Sequence, residues 1–137
     1  MADLLRMSEA AALGLHAIVM VAQHGSPVTA STLAAELAAS QAHLSKVLRT
    51  LTDAGLLISK RGPKGGYGLA RPGANITLRE VYESFEGPLR QDGCLFSSPV
   101  CHKARCVLGD LVGEVRRRVA SYLQTETVAT AAERLRR

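Results

Sequence analysis

The chain contains no tryptophan, and aromatic side chains make up only 4% of its 137 residues. Its core must therefore be aliphatic. Hydrophobic residues reach 47%, with Ala and Leu foremost, a composition that favours helix over sheet. No apolar run approaches the roughly eighteen residues a membrane span needs. The N-terminus also lacks the charged, apolar and small-residue order of a secretory leader. These absences lead us to expect a cytoplasmic protein with no membrane partner. Catalytic signatures are missing too: there is no Ser-His-Asp order, HExxH helix, phosphate-binding glycine loop or paired-carboxylate pocket, so no enzyme is expected. Three cysteines are too few, and odd in number, for a disulfide framework. The length suits one domain with a modest core.

What is present is positive charge, and it is concentrated. The formal net charge is +5. Within residues 41–72, Lys46, Arg49, Lys60, Arg61, Lys64 and Arg71 stand against Asp53 alone. A polyanion-binding surface needs such a block, although a solvated face or an acidic protein partner would satisfy charge alone.

Periodicity predicts a helix over 7–24, with Leu13, His16, Ala17, Met20 and Val21 on its buried face, closed by Gly25-Ser26-Pro27. Ser31 is the expected cap of a short helix over 32–39. Ser40 then caps a helix over 41–54 that Gly55 ends. Leu44, Val47, Leu48 and Leu51 form the inward stripe of that second helix, and Gln41, Ala42, His43, Ser45, Lys46, Arg49 and Thr50 face outward. Strands are predicted over 56–60 and 67–70 around the turn Arg61-Gly62-Pro63-Lys64-Gly65-Gly66. Thr77-Leu78-Arg79-Glu80 is a capping box opening a helix to about residue 85. A loop holding all three cysteines follows, then a long helix over 107–124. Its apolar stripe is Val107, Leu108, Leu111, Val112, Val115, Val119 and Tyr122, with Arg116, Arg117 and Arg118 off that face. The polar tail 125–137 is expected to fray.

Three short helices and a hairpin are the parts of a winged helix-turn-helix. The expected fold is mainly α with a small β-hairpin wing, plus a long C-terminal dimerisation helix. In such folds the second helix of the tight pair enters the major groove, N-terminus first. Gln41 and His43 could then hydrogen-bond bases, and Lys46 and Arg49 lie at phosphates or guanine edges, with Ser40 and Ser45 also in the DNA-binding set. Arg61, Lys64 and Tyr67 belong to the wing, whose arginine suits a narrow minor groove. Double-stranded DNA is the partner these residues favour.

Ala42-His43-Leu44-Ser45-Lys46-Val47-Leu48, Ala54-Gly55-Leu56-Leu57, Arg61-Gly62-Pro63-Lys64-Gly65-Gly66-Tyr67-Gly68-Leu69 and Ile76-Thr77-Leu78-Arg79-Glu80-Val81 together resemble the Rrf2 family of transcription regulators. The cluster regulator IscR and the nitric oxide sensor NsrR are among its better-known members. The likeness runs from about residue 7 to 130. It implies a homodimer on the long helix, binding a near-palindromic operator. The expected division is a winged-helix domain over 1–87, a cysteine loop over 88–106, and a dimerisation helix and tail over 107–137. The apolar stripe of that helix independently asks for a partner, either a second subunit or its own domain.

Cys94-x6-Cys101-x4-Cys106 places three soft ligands in one Gly- and Pro-containing loop beside Lys103 and Arg105. Thiolates suit iron–sulfur clusters, zinc or copper(I), and basic neighbours favour the thiolate. A cluster-free thiol switch or a zinc site is the alternative. The resemblance implies an iron–sulfur cluster, [2Fe-2S] or [4Fe-4S], although relatives commonly space these cysteines five and five. It also implies a fourth ligand. The His that IscR-like members place after the last cysteine is Gly109 here, and the Asp of NsrR-like members aligns with Ala12. A third branch uses a His on the first helix, where His16 falls. His16, Glu9, His102 and Asp110 are the candidates in that order, and a ligand from the first helix would come from the other subunit.

Overall fold

The computed structural model describes residues 3–101 and 106–136. Six helices and one hairpin follow in order: α1 Glu9–His24, α2 Ala30–Leu37, α3 Gln41–Asp53, β1 Leu57–Lys60, β2 Gly66–Leu69, α4 Leu78–Glu86, α5 Leu111–Thr125 and α6 Val128–Leu135, with a 3-10 turn at Gly73–Asn75. The fold is the mainly helical winged helix-turn-helix expected.

Caps fix most of these boundaries. Ser8, Thr29, Ser40, Thr77 and Thr127 each accept a backbone N–H from the first turn of their helix, satisfying one donor the helix cannot pair itself. Thr29, not Ser31, opens α2. The reason lies one residue earlier, where Val28 exchanges two backbone hydrogen bonds with Tyr67, at 3.0 and 2.7 Å. This extends the chain into the hairpin, so the helix starts directly afterwards. The capping box of Thr77 and Glu80 forms as predicted. Burial pulls the Glu80 carboxyl upward, but the Thr77 N–H and the Arg71 guanidinium outweigh it and hold it below its ordinary value.

α1 lies centrally and packs against α3, α4 and α6. Ala17, Ile18, Leu33, Leu44, Leu48, Leu51, Ile76, Val81 and Val128 have no exposed surface and form the centre of one core. Each large aliphatic among them contributes about 1.5–3 kcal/mol by leaving water. β1 and β2 pair antiparallel in the register Leu57↔Leu69 to Lys60↔Gly66. Gly66 stands at φ +140°, and a Cβ there would lie 2.6 Å from the Val28 backbone. That close approach welds the wing to the helical body.

Two expectations about the C-terminal third need correction. The tail does not fray: α6 folds back on α1, burying Val128 and Ala132. Backbone bonds from Leu78 N–H to Glu126 O and from Val128 N–H to Ile76 O stitch its start to that of α4. The apolar stripe of α5 also divides. Val112, Ala120 and Leu123 turn inward and Val119 packs on the core, while Leu111 and Tyr122 remain exposed and Val115 half-buried. Val107 and Leu108, exposed, precede the helix. No helix among the described residues is long and apolar enough to cross a membrane.

Candidate nucleic-acid interface and cysteine loop

α2 and α3 meet at a corner of three residues. Ala38 takes a left-handed conformation, φ 51° and ψ 40°, and the Ala38 and Ala39 N–H groups close the end of α2 on Ala35 O and Ala34 O. This conformation is costly for a residue with a Cβ, but it swings α3 into position within three residues. α3 then buries Leu44, Val47, Leu48 and Leu51 and leaves Gln41, Ala42, Lys46 and Arg49 exposed, with His43, Ser45 and Thr50 half-buried. The Ser40 hydroxyl accepts from His43 N–H at 3.1 Å, so its first duty is as a cap. Arg49 has only a loose contact with Asp53 at 4.0 Å, both side chains well exposed. Such a pair contributes little and leaves the guanidinium available.

At the wing, Arg61, Pro63 and Lys64 are exposed at the turn, and Gly65 N–H closes it on Gly62 O at 2.9 Å. Among the described residues Lys46, Lys60, Arg61 and Lys64 have no ion-pair partner. Tyr67 is half-buried, packs on the core and spends its backbone on Val28. Its expected place at the DNA surface is thus shared with a structural role.

Of the fourth-ligand candidates, Glu9 and His16 share one cleft and Asp110 lies on another element. Glu9, Ala12, Leu13 and His16 lie along one face of α1 and line a cleft of about 490 Å3 with Ser40 and His43 of the helix-turn-helix corner. His16 is exposed, not on the buried stripe as its spacing suggested. Its Nδ1–H donates to Ala12 O at 2.7 Å, which in the neutral ring makes Nε2 the nitrogen with the lone pair. Asp110 is exposed at the start of α5 and makes no side-chain cap. His102 lies outside the described residues. All three thiols are free, with Cys101 exposed and Cys94 and Cys106 half-buried. Among the described residues no three of the His, Cys, Asp or Glu side chains gather into a group able to hold a metal ion.

What organises the loop instead is a residue the sequence reading placed on the wrong face. Arg116 belongs to the inward stripe of α5 and is 4% exposed. Its Nη1 donates to Asp92 Oδ1 at 2.8 Å, to Asp92 O at 3.3 Å and to Cys94 O. Nε donates to Leu4 O at 3.2 Å and Nη2 to Asp3 O at 2.6 Å. Every nitrogen of the guanidinium is engaged, as a buried cation requires. Arg90 grips the same aspartate at 2.9 Å. Burial pulls the Asp92 carboxyl upward, but the Cys94 N–H, Arg90 and Arg116 together hold it below the ordinary carboxylate range. The signal was present in the spacing Val112-x3-Arg116-x3-Ala120-x2-Leu123, obscured by two neighbouring arginines that do face solvent.

Residues 7–134 match the Rrf2 family, described as iron-dependent transcriptional regulators. The chain belongs to the Rrf2 family. An HTH-type transcriptional regulator of this kind, YwgB from Bacillus subtilis, is 32% identical over 110 residues, covering 79% of this chain and 70% of that protein. Among solved structures, IscR of T. potens superposes with a TM-score of 0.75 at 26% identity, covering 96% of this chain and 88% of that one. The B. subtilis global cysteine regulator CymR superposes at 0.80 with 24% identity, covering 94% and 97%, a likeness of fold. As an Rrf2 regulator the chain is a DNA-binding transcription factor, not an enzyme.

Proposed function

We propose that this Rrf2 regulator works as a homodimer that reads a near-palindromic operator with α3 and the wing, and that its cysteine loop sets the affinity. The observation that carries the DNA surface is the exposed row Gln41, Lys46 and Arg49 on α3, continued by Arg61 and Lys64 at the wing tip. Lys46, Arg61 and Lys64 have no carboxylate partner among the described residues, so they are free to neutralise phosphates. Pairing of protomers rests on Leu111 and Tyr122, exposed on α5, and Leu108, exposed in the segment before it. Such exposed apolar side chains ask for a partner, and a two-fold one would present both α3 helices to successive major grooves.

In donor chemistry the loop suits an iron–sulfur cluster, although among the described residues its thiols are not gathered into one group. Three free thiols are soft ligands, and the Leu108 N–H donates to Cys106 Sγ at 3.5 Å, the type of bond that steadies a thiolate. Arg90 and Arg116 add positive charge near Cys94. Cys94, Cys101 and Cys106 would hold the group, with His16, Glu9, His102 or Asp110 as a fourth ligand, those on α1 supplied by the second protomer. When bound, such a cluster supplies a centre responsive to oxidation, nitric oxide or iron supply. A cluster-free thiol switch is the second reading, favoured by the exposed, free Cys101.

Protein purified without oxygen should be brown, with visible absorption and iron lost in Cys106→Ala. A colourless, metal-free protein whose DNA affinity ignores oxygen overturns the cluster reading, and a disulfide or sulfenate after peroxide supports the switch. Lys46→Ala and Arg61→Ala should each weaken operator binding and lower the salt slope by about one. Unchanged slopes would mean that the reading surface lies elsewhere.

A further inference from the structure

Arg116 joins two segments far apart in sequence. Its partners are Asp92 and Cys94 from the cysteine loop, and the carbonyls of Asp3 and Leu4 from the segment ahead of α1. That N-terminal strap is tied at its other end as well. The Tyr82 hydroxyl donates to Arg6 O, Ser8 N–H donates to Glu86 Oε1 at 3.0 Å, and Arg6 pairs with Glu86 at 3.5 Å. Ser8 is the N-cap of α1, and α1 packs against α3. A continuous run of bonds therefore leads from the Cys94 backbone through one guanidinium to the helix that supports the reading helix.

We propose that Arg116 is a positioning residue that reports the state of the cysteine loop to α1 through the N-terminal strap. This rests on the reading of the loop as the sensing element, but not on what the loop binds. The physical argument is that a buried guanidinium does not tolerate losing half its acceptors. When the backbone around Asp92 and Cys94 rearranges, Arg116 must turn toward water or follow the loop. In either case its bonds to Asp3 and Leu4 break. The strap then stays attached only at Arg6 and Ser8, and the start of α1 loosens. Because Asp3 and Leu4 contribute carbonyl oxygens, the relay depends on the chain path of the strap and not on its side chains.

The test uses trypsin, since cutting the Arg6–Met7 bond requires the backbone there to leave its Tyr82 and Glu86 anchors, which it does more often once the Asp3 and Leu4 bonds to Arg116 are gone. Full-length protein carrying Cys101→Ser and Cys106→Ser leaves Cys94 as the only thiol for N-ethylmaleimide. Alkylation should raise the initial cleavage rate after Arg6 about tenfold, because cleavage follows the population of the open form. Cleavage after Lys64 in the wing turn serves as the internal reference and should not change. In Arg116→Met the Arg6 bond should be cut rapidly before alkylation and no faster after it, whereas Arg116→Lys should partly restore protection. If Arg116→Met fails to fold by circular dichroism, the Arg116→Lys comparison decides. Equal cleavage with and without alkylation, with the adduct verified by mass spectrometry, would overturn the relay. An iron count of zero in the native protein would end the cluster reading and leave this result standing, since the probe needs only the thiol.

Discussion

The helical body and the cysteine loop are held by different forces. In the body, Leu33, Leu44, Leu48, Leu51 and Ile76 are sealed from water within one core. In the loop, Phe96 and Val100 are exposed, and order comes from hydrogen bonds that converge on Arg90 and Arg116. Apolar burial is non-directional and scales with the area removed from water, whatever the charge or redox state of nearby groups. A polar hub is different, because loss of a few acceptors leaves the remaining charge badly solvated. The body is thus held by burial and the loop by a polar hub.

The sharpest way to break this comparison is at the weld between wing and body. Gly66→Ala places a Cβ against the Val28 backbone in a region of φ that side chains avoid, and should cost about 3 kcal/mol or more in urea unfolding. Nearly as large is the contrast between Leu48→Ala, expected to cost about 3 kcal/mol, and Phe96→Ala, expected to cost under about 0.5 kcal/mol. Similar losses from both would show that the loop shares the core. A smaller effect of opposite sign is expected at the corner before α3. Ala38→Gly relieves the left-handed conformation and should raise stability by about 1 kcal/mol, visible as a higher thermal midpoint. The smallest is acid sensitivity of the loop. The Asp92 carboxyl is held below its ordinary value, so its contribution is complete above the unfolded pKa of about 3.9 and is lost as pH falls through the lowered folded value. Because the side chain is half-exposed, the effect should stay under about 1 kcal/mol. Hydrogen exchange around Cys94 should rise in that acid range, and Asp92→Asn should abolish the dependence.

Where local chemistry decides structure, the sequence was readable. Ser40 and Gly55 bracket α3, the Thr77–Glu80 box opens α4, and the glycines of the wing mark its turn; each of these needs only neighbours along the chain. Three features were hidden because distant partners decide them. Thr29 displaced Ser31 as a cap because Val28 pairs with Tyr67, a contact between segments far apart in sequence. α6 escaped notice because Thr130, not Glu or Gln, completes its capping box, and its apolar face is only Val128, Ala132 and Leu135. Arg116 was assigned to solvent because its charge outweighed its phase, although the helical interval from Val112 to Ala120 pointed inward. At the candidate site, the exposed face of α3 followed from periodicity. Glu9 and His16 meeting His43 in one cleft did not, since that depends on how α1 crosses the helix-turn-helix corner.

The return of α6 to α1 also governs how the protein comes into being. Val128 and Ala132 close over a helix synthesised more than a hundred residues earlier. On the ribosome, α1 through α4 emerge with one side still open, and that side is sealed only when α6 leaves the exit tunnel. A chain cut short anywhere before α6 therefore leaves the side of α1 that Val128 and Ala132 cover open to water.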